Sequence, residues 1–302
     1  MLPSAYLGQT AALGTAACWA CSAMAFSAAA RRIGVLPLNL IRLVMAFGFL
    51  SLAAWALRGV PLPVDATPRA WGWLALSGLI GFVFGDLCLF RSYVLIGPRL
   101  SSLVMSLAPP LTALIGWLVL GEHLTGRDAV GMGLTVAGIA WAVLERSPEP
   151  AGEARPAPRV SLKGLVLSVG GALGQAGGLV LSKLGMGSYH AVAATQVRVL
   201  AGIAGYAVIT LVFRRGPRVG EALRDGGALG FAAVGAFFGP FLGVSLSLFA
   251  VRHTSAGVAA SIMALYPVLI IPLVILLHRE RVGIAGFAGA LVAAAGAALL
   301  FL

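Results

Sequence analysis

Three charged residues stand inside runs that are otherwise apolar, and they are the first chemistry this chain offers: Arg42, Arg198 and Asp86, the last following Gly85 in the stretch FVFGDLCLFR. A guanidinium in lipid is costly, so each arginine is expected to face a helix bundle or an aqueous cavity. There its fork of donors suits the carboxylate of an amino acid or another anionic metabolite. The competing reading is structural: an arginine that caps helix carbonyls or extends to a headgroup layer. Asp86 reads as a proton-coupling group, a seat for a substrate ammonium, or half of an ion pair with an arginine on another helix. Arg91, five residues on, is out of register for pairing along one helix.

Uncharged polar residues accompany these charges. Asn39 precedes Arg42 by three positions and Gln196 precedes Arg198 by two, while Trp19, Gln175 and Tyr266 lie in other apolar runs. Together they are expected to line a central cavity, with Trp19 stacking on an aromatic side chain and Tyr266 contributing a hydroxyl. Each is equally at home as a helix-packing residue.

The elements that must position these groups are membrane spans. Residues 1–30, 100–121, 226–251, 254–278 and 283–302 hold no Asp, Glu, Lys or Arg, and a helix of roughly 20 apolar residues crosses a hydrocarbon layer of about 30 Å. With 60% hydrophobic and 10% charged residues, too little polar surface remains to cover a water-exposed fold. The apolar runs are continuous rather than alternating, which selects helices over a barrel. The chain is therefore predicted to be an all-α polytopic membrane protein with ten transmembrane helices, at 7–30, 36–57, 71–93, 100–120, 127–145, 162–184, 190–213, 226–250, 255–278 and 284–302. The first run lacks a preceding basic stretch and is read as a span, not a cleaved leader.

Composition also excludes classes. The net charge of +11 is scattered between spans, which argues against nucleic acid as a partner. Cys18 and Cys21 share a helical face, but no second ligand pair accompanies them or Cys88, so they read as small apolar packing residues with no metal site. No phosphate loop, nucleophile with its base, or ligand cluster appears, so neither an enzyme nor a cofactor is expected.

The two halves repeat. At an offset of 156, Gly8, Gly14 and Arg42 fall on Gly164, Gly170 and Arg198; at 158, Met105, Leu107, Pro109 and Glu122 fall on Met263, Leu265, Pro267 and Glu280. Gly131, Ala137, Gly138 and Ala140 then meet Gly289, Ala295, Gly296 and Ala298. This predicts a five-helix unit over 1–145, a polar linker over 146–161 and a second five-helix unit over 162–302. Because five spans is an odd number, the second copy enters the membrane from the opposite side, giving inverted repeats with a substrate site between them.

Loop charge orients the bundle. The loops after spans 1, 3, 5, 7 and 9 carry fourteen Lys and Arg, and the other four carry five. The excess marks the cytoplasmic side and puts both termini in the periplasm. Pro109 and Pro110 in span four, Gly239, Pro240 and Gly243 in span eight, and Pro267 and Pro272 in span nine are candidate hinges, since proline removes a helix donor and leaves a compliant kink.

The paired segments LVMSLAPPLTALIGWLVLGEHL at 103–124 and SIMALYPVLIIPLVILLHRER at 261–281, each followed by a Gly/Ala-rich helix, resemble the drug/metabolite transporter superfamily, in its ten-helix EamA branch. The chain is similar to bacterial amino-acid exporters of the YddG type. The family's proline followed by Gly-Glu is complete in Pro109, Gly121 and Glu122, whereas in the second copy Arg279 replaces the glycine before Glu280. The resemblance implies an inner-membrane carrier working by alternating access. The expected function is export of neutral, especially aromatic, amino acids, with exchange of small anionic metabolites as the alternative and a passive channel behind it. Its partners would be membrane lipids, the amino-acid substrate and protons as coupling ion, with the monomer as working unit. The small multidrug members of the superfamily use a glutamate in their first helix, and no acidic residue occupies either the first or sixth span here.

Overall fold

Every described element is a helix, as the uncharged runs demand. The computed structural model describes residues 6–144, 161–266, 268–269 and 284–300. A hairpin of α1 (Leu7–Ile33) and α2 (Val35–Arg58) turns at Gly34, whose φ of 80° disfavours any side chain. Thr67 then caps α3 (Pro68–Gly78) by accepting the Ala70 N–H. A π-helical segment, Leu79–Gly85, leads into α4 (Asp86–Met105), α5 (Ala108–Leu120) and α6 (Gly126–Leu144). The second half runs through α7 (Leu162–Met186), α8 (Ala191–Val212), the short α9 (Gly216–Ala222) and α10 (Gly226–Ala236). A second π segment, Phe237–Gly243, precedes α11 (Val244–His253), α12 (Ala256–Met263) and α13 (Ile284–Leu299).

Among the described residues six stretches are long and apolar enough to cross a membrane, Leu7–Ile33, Val35–Arg58, Pro68–Ser92, Leu162–Met186, Ala191–Val212 and Gly226–His253, and Ala108–Leu120 and Gly286–Leu299 are shorter apolar helices. The loop expected after residue 93 is not there. Helix α4 continues to Met105, carrying Arg91 and Arg99 within it, and the break falls at Ser106–Leu107 instead. Pro109 and Pro110 explain the position: they sit in the first turn of α5, where a missing N–H costs no hydrogen bond, and so do not kink a helix interior. The linker over 146–160, Pro267, Pro272 and Glu280 lie outside the described residues.

Small residues set the helix spacing. A Cβ on Gly138 would stand 2.3 Å from the Ala293 nitrogen, and one on Gly296 2.5 Å from the Thr135 nitrogen, so α6 and α13 approach backbone to backbone and run antiparallel. The outward faces instead carry large apolar side chains such as Leu52, Trp55, Leu211 and Phe287, the surface a lipid solvent calls for. The first helix of each half packs into the other half: α1 lies against α10 and α11, and α7 against α3 and α4.

Candidate functional site

The buried charges come together because α2, α4 and α8 meet beside the first π segment. Arg42 of α2 pairs with Asp86 at the start of α4, and its guanidinium lies 5.0 Å from the Phe26 ring and 5.8 Å from the Phe90 ring. Arg198 of α8 lies 5.2 Å from the Phe82 ring, one turn before Asp86. No ion pair engages Arg198 among the described residues, although it is 6% exposed and within electrostatic range of Asp86. Tyr206 is fully buried and donates its hydroxyl to the Phe82 carbonyl at 2.8 Å, tying α8 to the π segment. Asn39, 1% exposed, has neither side-chain polar atom partnered.

A second group of expected residues lines a cavity of about 60 Å³ bounded by both halves. Trp19, Gln175, Tyr266 and Pro109 border it, with Ser106, Thr112 and Met263. Trp19 and Tyr266 meet edge to face at 6.3 Å, and the half-buried Gln175 amide borders the same space. Helix α1 connects the two groups, since Trp19 and Phe26 stand seven residues, or about 10 Å, apart along it. Ligand sites for small molecules usually occupy ~300–1,000 Å³, so this cavity must widen to admit one.

Gln196 does not line that cavity. It donates to the Pro61 carbonyl at 2.7 Å and to the Ser51 hydroxyl at 3.2 Å, fixing the loop after α2. Asn39 is likewise outside that cavity lining and stands three residues before Arg42 on the same helix, α2.

Sequence reasoning did not find the contacts that close the two ends. At one end Glu122 pairs with Lys183 at 2.5 Å and accepts the Ala256 N–H at 2.8 Å. Lys183 also donates to the Thr254 carbonyl at 2.6 Å. Lys183 and Glu122 thus join the two halves at this end. At the same end Arg58 pairs with Asp65, which accepts the Tyr189 hydroxyl at 2.8 Å. That carboxyl is held below its ordinary range, first by Arg58 and then by Tyr189. At the opposite end Arg32 binds Asp225 through both carboxylate oxygens, at 2.8 and 2.9 Å, lowering that carboxyl as well. A signal existed for one of these: Glu122 lies at the repeat distance from Glu280.

A helical bundle whose two halves share one pattern and enclose buried polar groups defines a polytopic membrane protein of the transporter class. Its sequence matches the EamA-like transporter family over residues 6–144 and again over 162–302, and the chain belongs to that family. A solved crystal structure with 19% sequence identity has a TM-score of 0.75, over 97% of this chain and 95% of its own, a likeness of fold alone. No curated protein matches the chain in sequence.

Proposed function

We propose that this transporter exports neutral amino acids, aromatic ones above all, in the manner of the YddG-type exporters. It would work by alternating access between two inverted five-helix halves, 1–145 and 162–302, in the bacterial inner membrane with both termini periplasmic. The observation that carries this reading is the Trp19–Tyr266 pair beside the Gln175 amide, in a cavity lined by both halves. An aromatic edge and face next to an amide donor and acceptor suit a ring-bearing, zwitterionic substrate. Ion pairs at both ends and the antiparallel contact of α6 with α13 support two halves that rock about a central site.

Counterflow into proteoliposomes preloaded with unlabelled amino acids, nucleosides or organic anions tests it. Aromatic and other neutral amino acids should drive labelled uptake, and Trp19→Ala or Gln175→Leu should lower it at least tenfold. Uptake driven by organic anions alone would sink this assignment in favour of anionic-metabolite exchange, the second reading, which the buried Arg198 supports, its Nε having no partner among the described residues. Downhill flux that neither saturates nor exchanges would indicate a channel.

A further inference from the structure

Among the described residues the charged cluster does not balance. Arg42 and Arg198 bring two positive charges into the bundle interior at 8% and 6% exposure, and Asp86 returns one negative charge, bound to Arg42. A buried charge without a counterion is among the most destabilising arrangements a fold can hold, and more so in lipid than in water. Aromatic faces offset only part of it: Phe82 lies under Arg198, and Phe26 and Phe90 flank Arg42.

Hydrogen bonding is incomplete as well. Among the described residues the Arg42 Nε, the Arg198 Nε and both polar atoms of Asn39, three residues before Arg42 on α2, are buried without partners. Such atoms are rare in native structures, and each calls for a partner from outside the chain, a water or an ion. The π segment leaves space for Arg198: a Cβ on Gly81 would stand 3.3 Å from its Nη2. Helices α2 and α8 cross here, with Leu43 2.9 Å from the position of a Gly202 Cβ, so the two arginines come from facing helices.

We propose that Arg42, Arg198 and Asn39 form a binding site for one monovalent anionic group, supplied as a free halide or as the carboxylate of a transported amino acid. The halide source stands apart from the proposed substrate; the carboxylate source rests on it. The anion accepts from the free guanidinium donors and the Asn39 amide and brings the cluster to neutrality, leaving the Asp86 pair intact.

The test is thermal unfolding of the full chain in lipid nanodiscs, with chloride replacing gluconate at constant ionic strength, and separately with phenylalanine against its uncharged-carboxyl analogue phenylalaninamide. A saturable rise in Tm with chloride identifies the halide source, and a rise with phenylalanine but not its amide identifies the carboxylate source. Arg198→Gln should shift half-saturation at least tenfold, while Arg31→Gln, at the exposed end of α1, should leave it unchanged. Should Arg198→Gln not fold, Asn39→Leu reads the same shift without removing a charge. Equal curves for chloride and gluconate, together with equal curves for the acid and the amide, overturn the site. So does an unchanged half-saturation in the variants. Failure of amino-acid counterflow with a persisting chloride response would strike the proposed substrate alone.

Discussion

Gly85 and Gly243 end equivalent π-helical segments 158 residues apart, and each packs against the first helix of the opposite half. A Cβ on Gly85 would lie 3.3 Å from the Gly174 backbone of α7, and one on Gly243 2.7 Å from the Trp19 ring of α1. Widened turns of this kind recur at functional sites. Here one holds the Phe82 ring against Arg198 and the other abuts the cavity tryptophan.

These contacts make glycine substitutions strongly position-dependent. A Cβ on Gly174 falls 2.5 Å from the Gly85 Cα and 3.0 Å from the Ile80 carbonyl, both backbone atoms that a rotamer change does not move. Gly174→Val should therefore cost about 1–3 kcal/mol, the usual range for overpacking. Gly48, on α2 with nothing within 4 Å of its Cβ position, should accept alanine with no loss. Unfolding curves in detergent compare the two directly, and equal Tm values would discard the close-packed reading of the π segments.

The Arg42–Asp86 pair should behave as a unit. Asp86→Asn leaves Arg42 charged and buried at 8% exposure, a change that typically costs about 3–5 kcal/mol. Arg42→Met combined with Asp86→Leu removes both charges and should recover much of that loss. A double-mutant cycle measures the coupling, and additive effects would show that the pair contributes no joint stabilisation.

Much of this was legible in the sequence, and the missing parts have physical causes. Arg42, Arg198 and Asp86 stand out because a charge in an apolar run must turn away from lipid toward the bundle or a cavity, and the repeat showed through positions such as Pro109 and Glu122 that composition bias does not explain. Trp19 and Gln175, both expected at a central cavity, border one small cavity in the structure. The role of Gln196 was not readable, since its partners are Ser51 on α2 and Pro61 in the loop that follows, whose path depends on packing. Glycines at Gly81 and Gly85 carry no pattern that separates a π segment from an ordinary packing face. The break before α5 comes later than the expected gap at 94–99 because α4 runs on to Met105 and the Pro109–Pro110 pair stands in the first turn of the new helix.

Glu122 should act as a latch between the halves. It binds Lys183 and the first N–H of α12 at once, so Glu122→Ala leaves the partly buried Lys183 ammonium with the Thr254 carbonyl but no carboxylate, and the Ala256 N–H without its acceptor. A loss of about 1–3 kcal/mol is expected. Glu122→Gln keeps an acceptor for Ala256 but gives up the ion pair, and should lie between wild type and Glu122→Ala in Tm. The latch also predicts faster thiol labelling of a cysteine placed at Ser255 in either variant than in wild type, because that mouth opens more often. Identical labelling rates in all three would reduce the contact to a static brace.

Asp65 and Tyr189, in the loops beyond the spans, with Arg58 at the end of α2, give this end of the protein a pH dependence with two limbs. Arg58 first, and the Tyr189 hydroxyl second, hold the Asp65 carboxyl below its ordinary range. A depressed carboxylate contributes stability that is complete above the unfolded value and lost as pH falls through the folded one, so the acid limb begins below about pH 4. Tyr189 runs the other way: burial first, and Asp65 second, push its hydroxyl up to about 12. Its contribution is complete below the ordinary tyrosine range and disappears as pH rises through that raised value. Asp65→Asn should thus lower Tm at neutral pH, and its difference from wild type should shrink on acidification. Tyr189→Phe should differ from wild type across neutral pH and converge with it only on the alkaline side. Asp65 is exposed, so both effects should be small and weakened by salt. Tm profiles of the three proteins against pH at two salt concentrations supply the measurement, and parallel profiles would show that the cluster does not contribute to folding.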